Sequence, residues 1–115
     1  MKVLHLNIHS LPDKIDSLVA LLDKLNEAKC RIDLILLCET YISDHTNLQR
    51  CNINGYNLIE KHRTNTMGGG VCIFVNNAIH YTVREDLTIF EEKLFESVFI
   101  EVKLCLLYTS DAADD

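Results

Sequence analysis

The sequence predicts a mixed α/β (α+β) domain, one mixed sheet with an outer helix, on three observations. From Ile15 to Ala28 apolar residues recur at helical spacing, with Asp16, Lys24 and Glu27 on the other side. Before and after this run lie short apolar or alternating segments of strand length. The composition, 48% apolar and 24% charged over 115 residues, is that of a folded chain with a single core, which excludes disordered and collagen-like classes.

The elements follow in order. Val3, Leu4, Leu6 and Ile8 read as a buried strand that ends near Asn7. Ser10 is placed to cap a helix, and Pro12 falls in the first turn, where a missing N–H is tolerated. The apolar helical stripe comprises Ile15, Leu18, Val19, Leu21, Leu22, Leu25 and Ala28. Residues 32–38 form a nearly continuous apolar run, the pattern of a strand covered on both faces. Strand, helix and strand together predict a βαβ-like opening. After a polar stretch from Thr40 to Asn54, extended pattern resumes at Gly55 and continues to Arg63. Gly68-Gly69-Gly70 leads into Val71–Val75, and Asn76-Asn77 predicts a turn into a neighbouring antiparallel strand, 79–84. Glu85–Lys93 reads as a connection, and Ser97–Lys103 as the last strand.

Residues 105–115 break the pattern abruptly into a small, acidic tail. The string resembles the in-frame translation of a transposase-type sequencing adapter and is set outside the fold. Without its three aspartates the formal charge moves from −6 to −3, still mildly acidic. Such a chain has no general attraction for nucleic acid, so any function there must rest on local cations or a bound metal. Read this way, residues 1–104 are a truncated domain, with the natural sequence ending inside a strand. Five cysteines form no CxxC pair and read as reduced core residues without disulfide partners. No run approaches the ~18 apolar residues of a membrane span. The expectation is an intracellular chain with no membrane contact.

Two polar positions stand where chemistry is expected. Asn7 ends the first strand, and Glu39-Thr40 follows directly after the second. In a parallel pair the carboxyl ends share one rim, so these two side chains can meet. A carboxylate and an amide oxygen suit Mg²⁺ or Mn²⁺, which retains several waters and needs few protein oxygens. The same residue types also serve as turn formers and capping partners. Arg63 with the three glycines is open to a phosphate-contact reading. No Lys-Ser/Thr pair follows and a strand comes next, so a P-loop is disfavoured and close backbone packing is the plainer reading. His5, His9, His45, His62 and His80 show no zinc-hydrolase spacing, and His9 reads as a solvated loop residue.

In their order, Leu4-His-Leu-Asn-Ile, Asp33-Leu-Ile-Leu-Leu-Cys-Glu-Thr, Gly55-Tyr, Arg63, Gly68-Gly-Gly-Val-Cys-Ile-Phe-Val and Glu96-Ser-Val-Phe-Ile-Glu-Val resemble the N-terminal half of the endonuclease/exonuclease/phosphatase superfamily. Within it, the pattern is most similar to the endonuclease domain of jockey- or LINE-type non-LTR retrotransposon polyproteins. The resemblance implies a partial DNase-I-like, four-layered αβ sandwich and metal-dependent phosphodiester hydrolysis. It implies Asn7 and Glu39 at the catalytic metal site, Glu39 as a direct ligand. It implies Arg63 near DNA backbone, and an acidic residue without assigned role at Glu96. The complete domain would nick DNA for a linked reverse transcriptase, with nuclear access expected for the parent element. The family's later Tyr, Gly-Asp-Phe-Asn and terminal Ser-Asp-His segments are not found beyond Glu96, and the Ser-Asp-His at 43–45 stands too early to be the terminal one, so the expectation is descent from a nuclease without catalytic competence.

Two rival readings remain. One keeps the superfamily and changes the substrate to a phosphoinositide, sphingomyelin or RNA. The other is a small non-enzymatic α/β interaction domain. Truncation further predicts that Val71–Val75 and Val98–Val102 expose apolar surface and strand edges.

Overall fold

A computed structural model describes residues 1–104; the adapter-like tail, 105–115, lies outside the described residues. Strand β1, Val3–Asn7, passes through a tight loop into helix α1, Leu11–Glu27, which returns the chain to strand β2, Leu34–Cys38. Strands β1 and β2 are parallel, in register from Val3 opposite Leu34 to Asn7 opposite Cys38. The helix starts where the sequence places it: Ser10 Oγ accepts the Asp13 N–H at 3.4 Å, with Pro12 in the first turn. Its buried stripe is Leu11, Leu18 and Leu22, flanked by half-buried Ile15, Val19 and Leu25. Leu21 and Ala28, predicted on that stripe, are solvent-exposed; Ala28 caps the helix.

A 3₁₀ turn at Leu48–Cys51 precedes β3, Tyr56–Lys61, and β4, Val71–Asn76. The four strands form one mixed sheet in the order β1-β2-β4-β3, with β4 antiparallel to both neighbours. Alternation divides β4 between two cores. Cys72 and Phe74 pack on the helix side with Ile35, Leu37, Ile42 and Ile53. Ile73 and Val75 face the other way, with Leu34, against Ile79, Tyr81, Val98, Ile100 and Val102.

That second layer corrects two sequence expectations. Strand β5, His80–Val83, does not fold back on β4; it pairs antiparallel with β8, Ile100–Lys103. Both edges of β4 are already bonded to β2 and β3, so the chain beyond Asn77 must find another partner. The β5–β8 ribbon lies over the sheet, so Val71–Val75 is covered instead of exposed, while in Val98–Val102 the residues Val98, Ile100 and Val102 are half-buried against it and Phe99 is exposed as expected. The predicted connection at Glu85–Lys93 contains the first half of a small hairpin, β6 (Phe90–Glu91) with β7 (Phe95–Glu96). The last strand starts at Ile100 rather than Ser97, because Ser97 exchanges hydrogen bonds with Ile89 and leaves the ladder. Among the described residues, Cys30, Cys38, Cys51 and Cys72 are free thiols, and no helix is long and apolar enough to cross a membrane.

Phe74 is fully buried at the centre of the helix-side core, whereas Val3 on edge strand β1 is half exposed. Phe74→Ala is therefore expected to cost about 3–5 kcal/mol and Val3→Ala about 1 kcal/mol or less, measured by urea unfolding.

Candidate functional site

The carboxyl rim of β1 and β2 continues as backbone ladder beyond the strands. Ile8 N–H donates to Cys38 O at 3.0 Å, Ser10 N–H to Glu39 O at 3.0 Å and Leu11 N–H to Thr40 O at 2.8 Å. On the far side, Thr40 N–H reaches Gly70 O at 3.3 Å and Tyr41 N–H reaches Gly69 O at 2.9 Å. Residues 39–41 are thereby clamped between the β1–α1 loop and the glycine segment. His9, Ser10, Glu39 and Tyr41 all take positive φ, from 48° to 86°, without being glycine. Such conformations cost of order 1–3 kcal/mol each and gather at functional sites.

This frame brings Asn7 and Glu39 into contact: Asn7 Nδ2 donates to Glu39 Oε2. His9 joins them, its Nε2 3.9 Å from the same carboxylate oxygen and its Nδ1 3.2 Å from the Tyr41 hydroxyl. The two rings meet edge to face, centroids 6.0 Å apart. Sequence reasoning reads His9 as a solvated loop residue and does not single out Tyr41. The signal lay in their spacing, two residues beyond Asn7 and Glu39 respectively, on segments that run parallel and in register.

Glu39 and Tyr41 share a cleft of roughly 440 Å³ with Arg63, Gly68–Gly70 and Glu96. Arg63 and Glu96 form a half-buried pair, Nε to Oε2 at 2.6 Å, while Arg63 Nη1 donates to Met67 O at 2.9 Å. Glu96 also accepts from Gly70 N–H at 2.9 Å and Lys93 N–H at 2.8 Å. Burial pushes its carboxyl up, but those amides and Arg63 outweigh burial and hold it below the usual carboxylate range. The acidic residue without an assigned role thus fastens the β6–β7 hairpin to the glycine segment and engages the guanidinium that the sequence offered to a phosphate.

The glycines make this packing possible. A Cβ on Gly69, at φ 65°, would fall 2.6 Å from Glu96 Oε1 and nearer still to Arg63 Nε. One on Gly70 would strike Thr40 Oγ1, a fully buried hydroxyl with no hydrogen-bond partner among the described residues. Close backbone approach accounts for the glycines without a bound phosphate.

As a cation site the rim offers the Glu39 carboxylate and the Asn7 amide oxygen, a hard oxygen set that fits part of a Mg²⁺ or Mn²⁺ shell. Among the described residues no three His, Cys, Asp or Glu side chains converge into a fuller set. A separate cluster braces the neighbouring loop: His62 joins Glu60 through Nδ1 at 2.9 Å and Asp44 through Nε2 at 2.8 Å. Burial lowers the imidazole pKa, yet the two carboxylates together raise it above its ordinary value.

Two outcomes follow from this geometry. Gly69→Ala is expected to destabilise well beyond Gly55→Ala, which meets no atom within 4 Å and bears only the positive-φ cost of about 1–2 kcal/mol; chemical denaturation compares them. Because the folded pKa of His62 lies above the unfolded value of about 6.5, its stabilisation is complete below that pH and fades as pH rises through the folded value. The stability gap between wild type and His62→Gln should accordingly be widest in mild acid and shrink toward alkaline pH.

No protein-family model, curated protein or solved structure matches the chain.

Proposed function

We infer that residues 1–104 are the N-terminal part of a divalent-metal phosphodiesterase domain of the endonuclease/exonuclease/phosphatase type, from the DNA-nicking endonuclease of a non-LTR retrotransposon polyprotein. The observation that carries this reading is the contact between Asn7 and Glu39 at the shared carboxyl rim of parallel strands, on backbone held in uncommon conformations. The mixed sheet with helix α1 on one face and the β5–β8 ribbon on the other is in keeping with part of a DNase-I-like four-layered sandwich.

Glu39 and the Asn7 amide oxygen would hold the cation. When bound, Mg²⁺ or Mn²⁺ supplies charge stabilisation for a scissile phosphate and its departing oxygen. The chain's own residues prepare the place. Asn7 and His9 converge on one oxygen of Glu39, and Tyr41 orients the His9 ring. The general base and the groups that orient a water would come from the family's later Tyr, Gly-Asp-Phe-Asn and terminal Ser-Asp-His segments; this sequence has no Gly-Asp-Phe-Asn, and its Ser43-Asp44-His45 lies early in the chain, soon after β2. DNA and a linked reverse transcriptase are the partners of the complete protein in this reading, with nuclear access expected for the parent element.

A second reading, a self-contained α/β interaction domain, is favoured by the two-sided burial of β4 and by the internal pairing of Arg63 with Glu96. Paramagnetic Mn²⁺ separates the two. Titrated into ¹⁵N-labelled chain, it should broaden the amides of residues 7–9 and 39–41 first, and Glu39→Gln should abolish that local broadening. Unchanged amides in the wild type, or equal broadening in the variant, would overturn the metal-site reading. In either case a supercoiled plasmid incubated with the chain and Mg²⁺ is expected to remain unnicked.

A further inference from the structure

Away from the strand rim, the loop after Arg63 wraps around a single carboxylate. Glu92, in the turn of the β6–β7 hairpin, accepts hydrogen bonds from three successive backbone amides: Thr64 at 3.2 Å, Asn65 at 3.2 Å and Thr66 at 2.9 Å. The side chains of the same three residues point at it as well, Thr66 Oγ1 at 2.8 Å, Asn65 Nδ2 at 3.2 Å and Thr64 Oγ1 at 3.4 Å. None of these donors is a cation. Burial works against the charged carboxyl, but the Thr66 hydroxyl and the three amides override it and bring its pKa down to about 2.

We propose that the Thr64–Thr66 loop is an oxyanion receptor for a phosphate group, occupied in this structure by the chain's own Glu92. The donor count leads there. A carboxylate offers about four lone-pair sites on two oxygens, and six donor groups converge on it. The receptor is richer than its occupant, whereas a tetrahedral oxyanion, with more oxygens, can use every donor. Successive N–H groups in a turn are a recurrent way to bind phosphate without lysine or arginine. The loop also lines a cleft of roughly 570 Å³ together with Tyr41, Asp44 and His45. Glu92 reaches the loop from the short hairpin turn, so vacating the donors requires only its side chain to swing away while Glu96 keeps the turn itself fastened. The chain is acidic, so recognition here would rest on directional hydrogen bonds and depend only shallowly on salt. This receptor does not require the cation site and stands even if Glu39 binds no metal.

The test is amide NMR on the full chain, titrated with inorganic phosphate at constant ionic strength with chloride as control. In Glu92→Gln, which keeps the shape and a neutral acceptor, the Thr64, Asn65 and Thr66 amides should shift saturably. Half-saturation is expected at a concentration at least tenfold below that of the wild type, with no chloride response. A parallel titration with a short oligonucleotide lacking terminal phosphates asks whether a diester is accepted as well as free phosphate. A native spectrum in Glu92→Gln with no phosphate-specific shifts at those amides overturns the proposal and leaves Glu92 as a structural latch. Should the variant lose its native spectrum, the wild type decides: phosphate at high concentration must shift those three amides and release Glu92, or the receptor does not exist.

Discussion

Three residues, Glu39, Thr40 and Tyr41, are bonded through their backbone to the β1–α1 loop on one side and to Gly69 and Gly70 on the other. Everything distinctive about this molecule depends on that double clamp. It extends the β1–β2–β4 ladder past the point where the strands end and bends the chain into positive φ at Glu39 and Tyr41. An uncommon backbone conformation persists only where its surroundings over-determine it, and here ladder bonds on both flanks do so. The return is positional. The Glu39 carboxylate is delivered to Asn7 and His9 instead of continuing the strand's alternation.

The glycine segment is the other half of the same constraint. Gly69 carries the Arg63–Glu96 pair across its face, and Gly70 admits the Thr40 hydroxyl against its backbone. A side chain at either position would push apart groups that hold the β6–β7 hairpin, the glycine segment and the rim in one arrangement. The hairpin is fastened twice, by Glu96 to the glycines and by Glu92 to the loop before them. Two carboxylates of a chain that is acidic overall are thus used inward, as acceptors for backbone amides, where hydrogen bonds to a charged acceptor are stronger than those between neutral groups.

Local pattern was enough for much of the fold. The helix, with its Ser10 cap and Pro12, and the apolar run of β2 depend on near neighbours, whose period and capping chemistry are written in consecutive residues. The pairing of β5 with β8 was not legible. Asn76-Asn77 signals a turn, but whether the next strand returns to β4 depends on whether β4's edges are free, and β2 and β3 occupy both. The β6–β7 hairpin escaped notice for a related reason: two-residue strands carry too little alternation to stand out from a charged connection.

The same division holds at the site. By itself the sequence determined that Asn7 ends one strand and that Glu39 follows directly on another, because strand length and apolar pattern are local properties. Only the tertiary structure decided that His9 and Tyr41 belong with them, that Arg63 turns inward to Glu96, and that Glu92 closes on Thr64–Thr66. Those partners lie 26 to 33 residues apart along the chain. Which donor meets which acceptor at such separations is set by the packing of sheet, hairpin and loop, and no local period encodes it.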